Sequence, residues 1–190
     1  MRQTIILASS SPRRKEILTG MGIRFECRSA AANEDTDLPP REAVLEISER
    51  KARAGAAGLP EGIVIGADTL VSLDGVRLGK PADSAEAIRM LRSLSGRTHS
   101  VFTGVCLLDA ASGKIEKQAA ETKVTFRRLE ENEIRDYVDT GEPLDKAGAY
   151  GIQGGAGAFV ESIEGSWTNV MGLPVEMLKE MLSRMTEEQR

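Results

Sequence analysis

A chain of 190 residues is near the usual size of one compact domain, and its 41% hydrophobic and 28% charged residues are those of an ordinary globular protein. No apolar run approaches the roughly 20 residues that span a bilayer, so no membrane segment is expected. A formal charge of -4 argues against coating a nucleic acid polymer, whereas a small anionic ligand needs only a few placed Lys and Arg side chains.

The first nine residues lack the longer apolar region and cleavage site of a secretory signal, and a cytoplasmic location is expected. Strand and helix signals then alternate, pointing to an α/β fold. Residues 4–9 read as a strand and 12–21 as a helix, with Ile17, Leu18 and Met21 as its apolar stripe. A second strand is expected over 25–29, a polar loop over 33–40 and a long helix over 41–57, before the Gly58-Leu59-Pro60 break. Residues 63–73 form a strongly apolar strand, and Asp74-Gly75 turns it into a partner over 76–80. Asp83 and Glu86 have capping-box spacing for a helix that reaches Leu94 and is ended by Gly96. Strands over 101–108 and 114–126, a helix over 130–139 and a last helix over 175–185 complete the pattern. Residues 1–185 are read as a single domain and 186–190 as a disordered tail.

Several residues stand out chemically. Ser11 is suited to N-cap and Pro12 to the first position of a helix whose start carries Arg13 and Arg14, so free N–H groups, hydroxyls and guanidiniums gather where an anion would bind. A well-capped surface helix with solvated arginines is the plainer alternative. Asp68 lies inside the apolar strand, where an unpaired carboxylate is costly; a hydrogen-bonded structural Asp, a divalent cation or a catalytic role would each compensate it. The loop Asn33-Glu34-Asp35-Thr36-Asp37 can supply a second carboxylate. Lys51 follows Val44 and Ile47 on the apolar face of the long helix and points inward or snorkels.

Continuing the hairpin ladder pairs Thr69 with Lys80, beside Asp68, and direct cooperation of Lys80 with Asp68 would require a bulge, for which Gly79 is the site. The glycine-rich stretch 147–155 contains Gln153, whose amide donor and acceptor match the O4 and N3–H edge of uracil or thymine, and equally guanine. His99 and Trp167, each single in its type, read as structural or surface residues, and Cys27 and Cys106 as two reduced thiols, since they form no CxxC pair.

In their order, Ser9-Ser10-Ser11-Pro12-Arg13-Arg14, Gly66-Ala67-Asp68-Thr69, Gly79-Lys80-Pro81 and the run from Asp145 to Gly154 resemble the Maf family of nucleotide pyrophosphatases. The resemblance implies a Maf/ITPase-like mixed sheet flanked by helices, two lobes around a deep cleft, and a homodimer. It implies hydrolysis of a nucleoside triphosphate to the monophosphate and pyrophosphate with a divalent cation, Mg²⁺, Mn²⁺ or Co²⁺. By motif, Asp68 is the general base and Glu34 a metal ligand with it, while Ser11, Arg14, Lys51 and Lys80 hold or neutralise phosphates. Arg13, Thr69 and Gln153 match positions tied to base preference, and the motifs look like the dTTP/UTP branch rather than the 7-methyl-GTP branch. No Cys/His or Ser/His nucleophile pair is visible, which favours direct attack by water. The rival readings are the same reaction on another base, a nucleotide-binding regulator of septum formation, and a purely structural domain.

Overall fold

The computed structural model describes residues 4–29 and 31–187. Its elements are β1 (Ile5–Leu7), α1 (Pro12–Gly20), β2 (Phe25–Cys27), α2 (Pro40–Ala56), β3 (Ile63–Leu73), β4 (Val76–Leu78) and α3 (Ser84–Leu94). Then follow β5 (Thr98–Asp109), β6 (Ile115–Phe126), α4 (Glu131–Asp139), three 3-10 turns, β7 (Val160–Glu164), α5 (Trp167–Met171) and α6 (Val175–Glu187). The tail expected from 186 is still helical at 187, and 188–190 lie outside the described residues.

The strands form one open mixed sheet in the order β2-β1-β3-β5-β6-β7, with β4 paired to β3. β1 is parallel to both β2 and β3, whereas β4 is antiparallel to β3 and β7 antiparallel to β6. β3 lies between neighbours and is buried along almost all of its length, which is why it reads as a continuous apolar run rather than an alternating one. The Asp74-Gly75 turn has positive φ at both residues, +52° and +81°, as a tight hairpin demands, and it sets Leu73 opposite Val76. The ladder stops at Leu78, opposite Val71, so the expected pairing of Thr69 with Lys80 is not made. Instead the Gly79 carbonyl accepts the Gly148 N–H at 3.0 Å, and the chain leaves the sheet there. At α3, the Asp83 side chain accepts the Glu86 N–H at 2.7 Å, and Glu86 reaches back to the N–H of Ala82 rather than that of Asp83.

By contacts the described residues divide into two compact units. The first holds residues up to Asp68, Thr103–Ala120 and the chain from Gly172, and the second holds Thr69–Phe102 and Glu121–Met171. The first has a core of Ile6, Ala8, Ala52, Val64, Cys106 and Leu108, through which α2 packs on β3. Glycine lets α2 approach the sheet closely: a Cβ at Gly66 on β3 would lie 2.1 Å from the Ser48 carbonyl oxygen, and one at Gly104 on β5 2.2 Å from that of Val44. The second unit is cored by edge-to-face rings, with Phe126 against His99, Tyr150 and Phe159, and Phe159 against Tyr137. His99 is therefore structural, as expected, whereas Trp167 is 46% exposed. Cys27 is exposed on the outermost strand and Cys106 is buried, both as free thiols. Among the described residues no helix is long and apolar enough to cross a membrane.

Candidate active site

β3 presents Val64, Gly66 and Asp68 on one face, because side chains two apart share a side of a strand. That face is the one α2 covers: Val64 touches the helix beside Gly55, and Gly66 lies under Ser48 and Ala52. Helical side chains lean toward the helix N-terminus, so Lys51 slants back along β3 toward Asp68. Its ammonium donates to Asp68 Oδ1 at 2.6 Å, and both side chains are largely buried, 14% and 11% exposed. Of the compensations open to a carboxylate in an apolar strand, the chain uses a paired cation, and Lys51 points inward rather than snorkelling.

The same ammonium lies 2.8 Å from Glu34 Oε1, whose side chain is 57% exposed. Glu34 reaches it from an irregular loop that α2 itself pins down. Arg50 Nη1 donates to the carbonyls on either side of Glu34, Asn33 at 3.1 Å and Asp35 at 2.9 Å, while the Asp35 N–H closes on Asn33 Oδ1 at 2.8 Å. Two carboxylates from separate elements thus converge on one nitrogen.

The start of α1 adds a buried guanidinium. Arg14 Nε donates to the Gly172 carbonyl at 2.8 Å, and Nη1 to Ser9 Oγ at 3.2 Å. Burial lowers its pKa from the ordinary arginine value; the negative charges of Asp68 and Glu34 oppose that shift, and Arg13 adds to it. Ser11 occupies the N-cap position but makes no side-chain cap bond; its N–H donates to Ser9 Oγ at 3.2 Å instead. The plainer alternative of solvated arginines fails for Arg14, which is only 9% exposed, while Arg13 is half-buried.

Thr69, Lys80 and Gln153 belong to the second unit. Thr69 is half-buried on β3, Lys80 is exposed just beyond β4, and Gln153 is exposed on a turn closed by the Gly154 N–H to the Gly151 carbonyl at 3.1 Å.

A family model described as "Maf-like protein" matches residues 4–185. A protein of Pelotomaculum thermopropionicum named dTTP/UTP pyrophosphatase is 50% identical over 182 residues, 95% of each chain. Proteins of the same name from Moorella thermoacetica, 49% identical over 94% of this chain and 93% of the relative, and from a Geobacter species, 51% identical over 90% of each, agree with it. The chain belongs to the Maf-like family.

In this Maf-like protein the donor set suits a hard cation. Asp68 and Glu34 offer carboxylate oxygens, and Mg²⁺ characteristically takes one or two protein carboxylates and completes its shell with substrate phosphates and water. Among the described residues no three or more His, Cys, Asp or Glu side chains gather into a closed metal cage. The sequence reading missed the supports of the site. Arg50, Ser9 and Gly172 carry no assigned part in the sequence, because Ser9 acts through a hydroxyl, Gly172 through a carbonyl and Arg50 through a guanidinium bound to loop carbonyls, groups that any sequence offers in quantity.

Proposed function

We propose that this chain hydrolyses a nucleoside triphosphate, with dTTP, UTP and modified pyrimidine analogues as substrates, to the monophosphate and pyrophosphate. The observation that carries the reading is the buried Asp68–Lys51 pair joined by Glu34, within electrostatic reach of the arginine-bearing start of α1. The name shared by the relatives supports both the reaction and the bases.

A triphosphate carries about four negative charges near neutral pH, which cations must offset before water can attack. Arg14 is anchored by Gly172 and Ser9, so little side-chain freedom is left to lose when the guanidinium meets a phosphate. Lys51, held between two carboxylates, is oriented before substrate arrives. Water bonds to the α-phosphorus as Asp68 accepts its proton, the bond from that phosphorus to the oxygen bridging to the β-phosphate breaks, and pyrophosphate leaves with the bridging oxygen. Asp68 and Glu34 would hold a divalent cation, Mg²⁺ or alternatively Mn²⁺ or Co²⁺, which when bound neutralises phosphate charge. Ser11 and Lys80 are assigned to phosphate, and Arg13, Thr69 and Gln153 to base preference, on the family resemblance. A homodimer in the cytoplasm is part of the same proposal.

Incubation with dTTP and Mg²⁺, followed by product analysis, tests the reading. Equimolar dTMP and pyrophosphate are expected. Release of inorganic phosphate alone, or binding without turnover, would refute it.

A further inference from the structure

We infer that Tyr137 and Glu142 are positioning residues for base selection, acting together as a clamp on the turn that carries Gln153. The inference rests on the reading of Gln153 as the residue that meets the base.

The clamp is built within the second unit from two side chains and two backbone amides. The buried Tyr137 hydroxyl accepts the Gly151 N–H at 3.1 Å and donates to Glu142 Oε1, also at 3.1 Å. Glu142 Oε2 accepts the Gly155 N–H at 3.2 Å. Gly151 and Gly155 lie two residues before and after Gln153, so the carboxylate and phenol fix both shoulders of its turn. The turn's own Gly154-to-Gly151 bond then leaves little freedom between them.

Glycine leaves room for side chains at two of these places. A Cβ at Gly154 would lie 1.9 Å from Glu142 Oε1, and a Cβ at Gly151 would lie 2.7 Å from the Lys146 stem. The bare backbone is what lets the carboxylate and the lysine lie against the turn. Lys146 in turn donates to the Glu142 carbonyl at 2.7 Å, which ties down the residue that supplies the clamp. Upstream, Tyr150 is held through its hydroxyl, 2.8 Å from His99 Nε2.

An amide that distinguishes pyrimidine edges by one donor and one acceptor is selective only if its direction is fixed, since a freely turning amide satisfies either pattern. The clamp fixes the backbone from which that amide projects, without contacting the base. Its effect therefore belongs in KM and in discrimination between bases, and it must pass through Gln153.

The test is steady-state kinetics on dTTP and CTP for the wild type, Tyr137→Phe, Glu142→Ala, Gln153→Ala and the Tyr137→Phe/Gln153→Ala double variant, with melting temperatures for all. Tyr137→Phe and Glu142→Ala should each raise KM for dTTP by about threefold to tenfold, with kcat changed by less than about twofold, and lower the dTTP/CTP ratio of kcat/KM. In the Gln153→Ala background, Tyr137→Phe should leave that ratio where Gln153→Ala put it, because a residue that acts through another adds nothing once the other is gone. Lowered melting temperatures with unchanged ratios in both clamp variants would overturn the inference and leave them as scaffold. The Glu142→Ala variant keeps the aromatic core intact and decides the matter should Tyr137→Phe fold poorly. An unchanged ratio in Gln153→Ala would overturn the inference at its premise while leaving hydrolysis standing; no pyrophosphate from any nucleotide would instead sink the proposed function.

Discussion

Lys51 is the residue on which stability and chemistry meet. Taken by itself, Lys51→Met keeps most of the stem's packing, which predicts little change in stability. The structure alters that expectation, because the lost ammonium is the partner of a carboxylate whose side chain is only 11% exposed. Breaking a largely buried pair from one side costs about 3 kcal/mol, or roughly 6 to 12 °C in melting temperature for a chain of this size. Adding Asp68→Asn should recover part of that loss, which denaturant titration of the single and double variants will reveal; strictly additive losses would mean that the pair is not coupled. In activity, Lys51→Met should lower kcat/KM for dTTP by roughly 10- to 150-fold. His99 sets a separate pH dependence. Burial against Phe126 and Tyr150 lowers its pKa to about 4, below the ordinary 6.5. The unfolded chain thus binds a proton that the folded chain refuses, and stability falls as pH drops from about 6.5 toward 4. The wild type should lose about 2 kcal/mol more than His99→Gln between pH 7 and pH 5, and equal losses would remove His99 as the cause.

At the scale of elements, the site depends on how closely α2 rides on β3. Gly66→Ala places a methyl against two backbone atoms, the Ser48 oxygen at 2.1 Å and the Ala52 nitrogen at 2.6 Å, and neither can rotate away. The helix must lift, taking with it Lys51, which lies between those residues in sequence. A loss of about 3 kcal/mol and a marked fall in kcat are expected. Gly20→Ala at the end of α1, where a Cβ meets nothing within 4 Å, serves as the contrast and should be neutral or slightly stabilising by urea titration. The same scale explains what could be read in advance. β3 was legible to the residue because its apolar run ends at an Asp-Gly turn, and α3 because Asp83 and Glu86 bracket its start. β7 and α5 were not: each is five residues long, and β7 carries Glu161 and Glu164 with too few apolar positions to set a period.

For the whole molecule, the proposed reaction requires that nucleotide and metal bind the folded chain together. A non-hydrolysable α,β-imido analogue of dTTP with Mg²⁺, at about 100 times its dissociation constant, should add about 2.7 kcal/mol to stability, and EDTA should abolish both this shift and turnover of dTTP. Thermal shifts with and without chelator measure the first, and pyrophosphate release the second; full turnover after exhaustive chelation would remove the metal from the proposal. The sequence by itself determined the α/β class, most helices and strands, and the oddity of Asp68, because periodicity and the cost of a carboxylate in an apolar strand are local properties. It also marked Glu34, Arg14 and Lys51 as candidates, but left open whether they were surface charges. Only the tertiary structure decided that Lys51 joins Asp68 to Glu34, and that Arg14 is fixed by the carbonyl of Gly172, 158 residues away. It decided equally that the hairpin ladder ends before Lys80. Such pairings depend on which elements pack together, and no local pattern of residues encodes a hydrogen bond between groups so far apart along the chain.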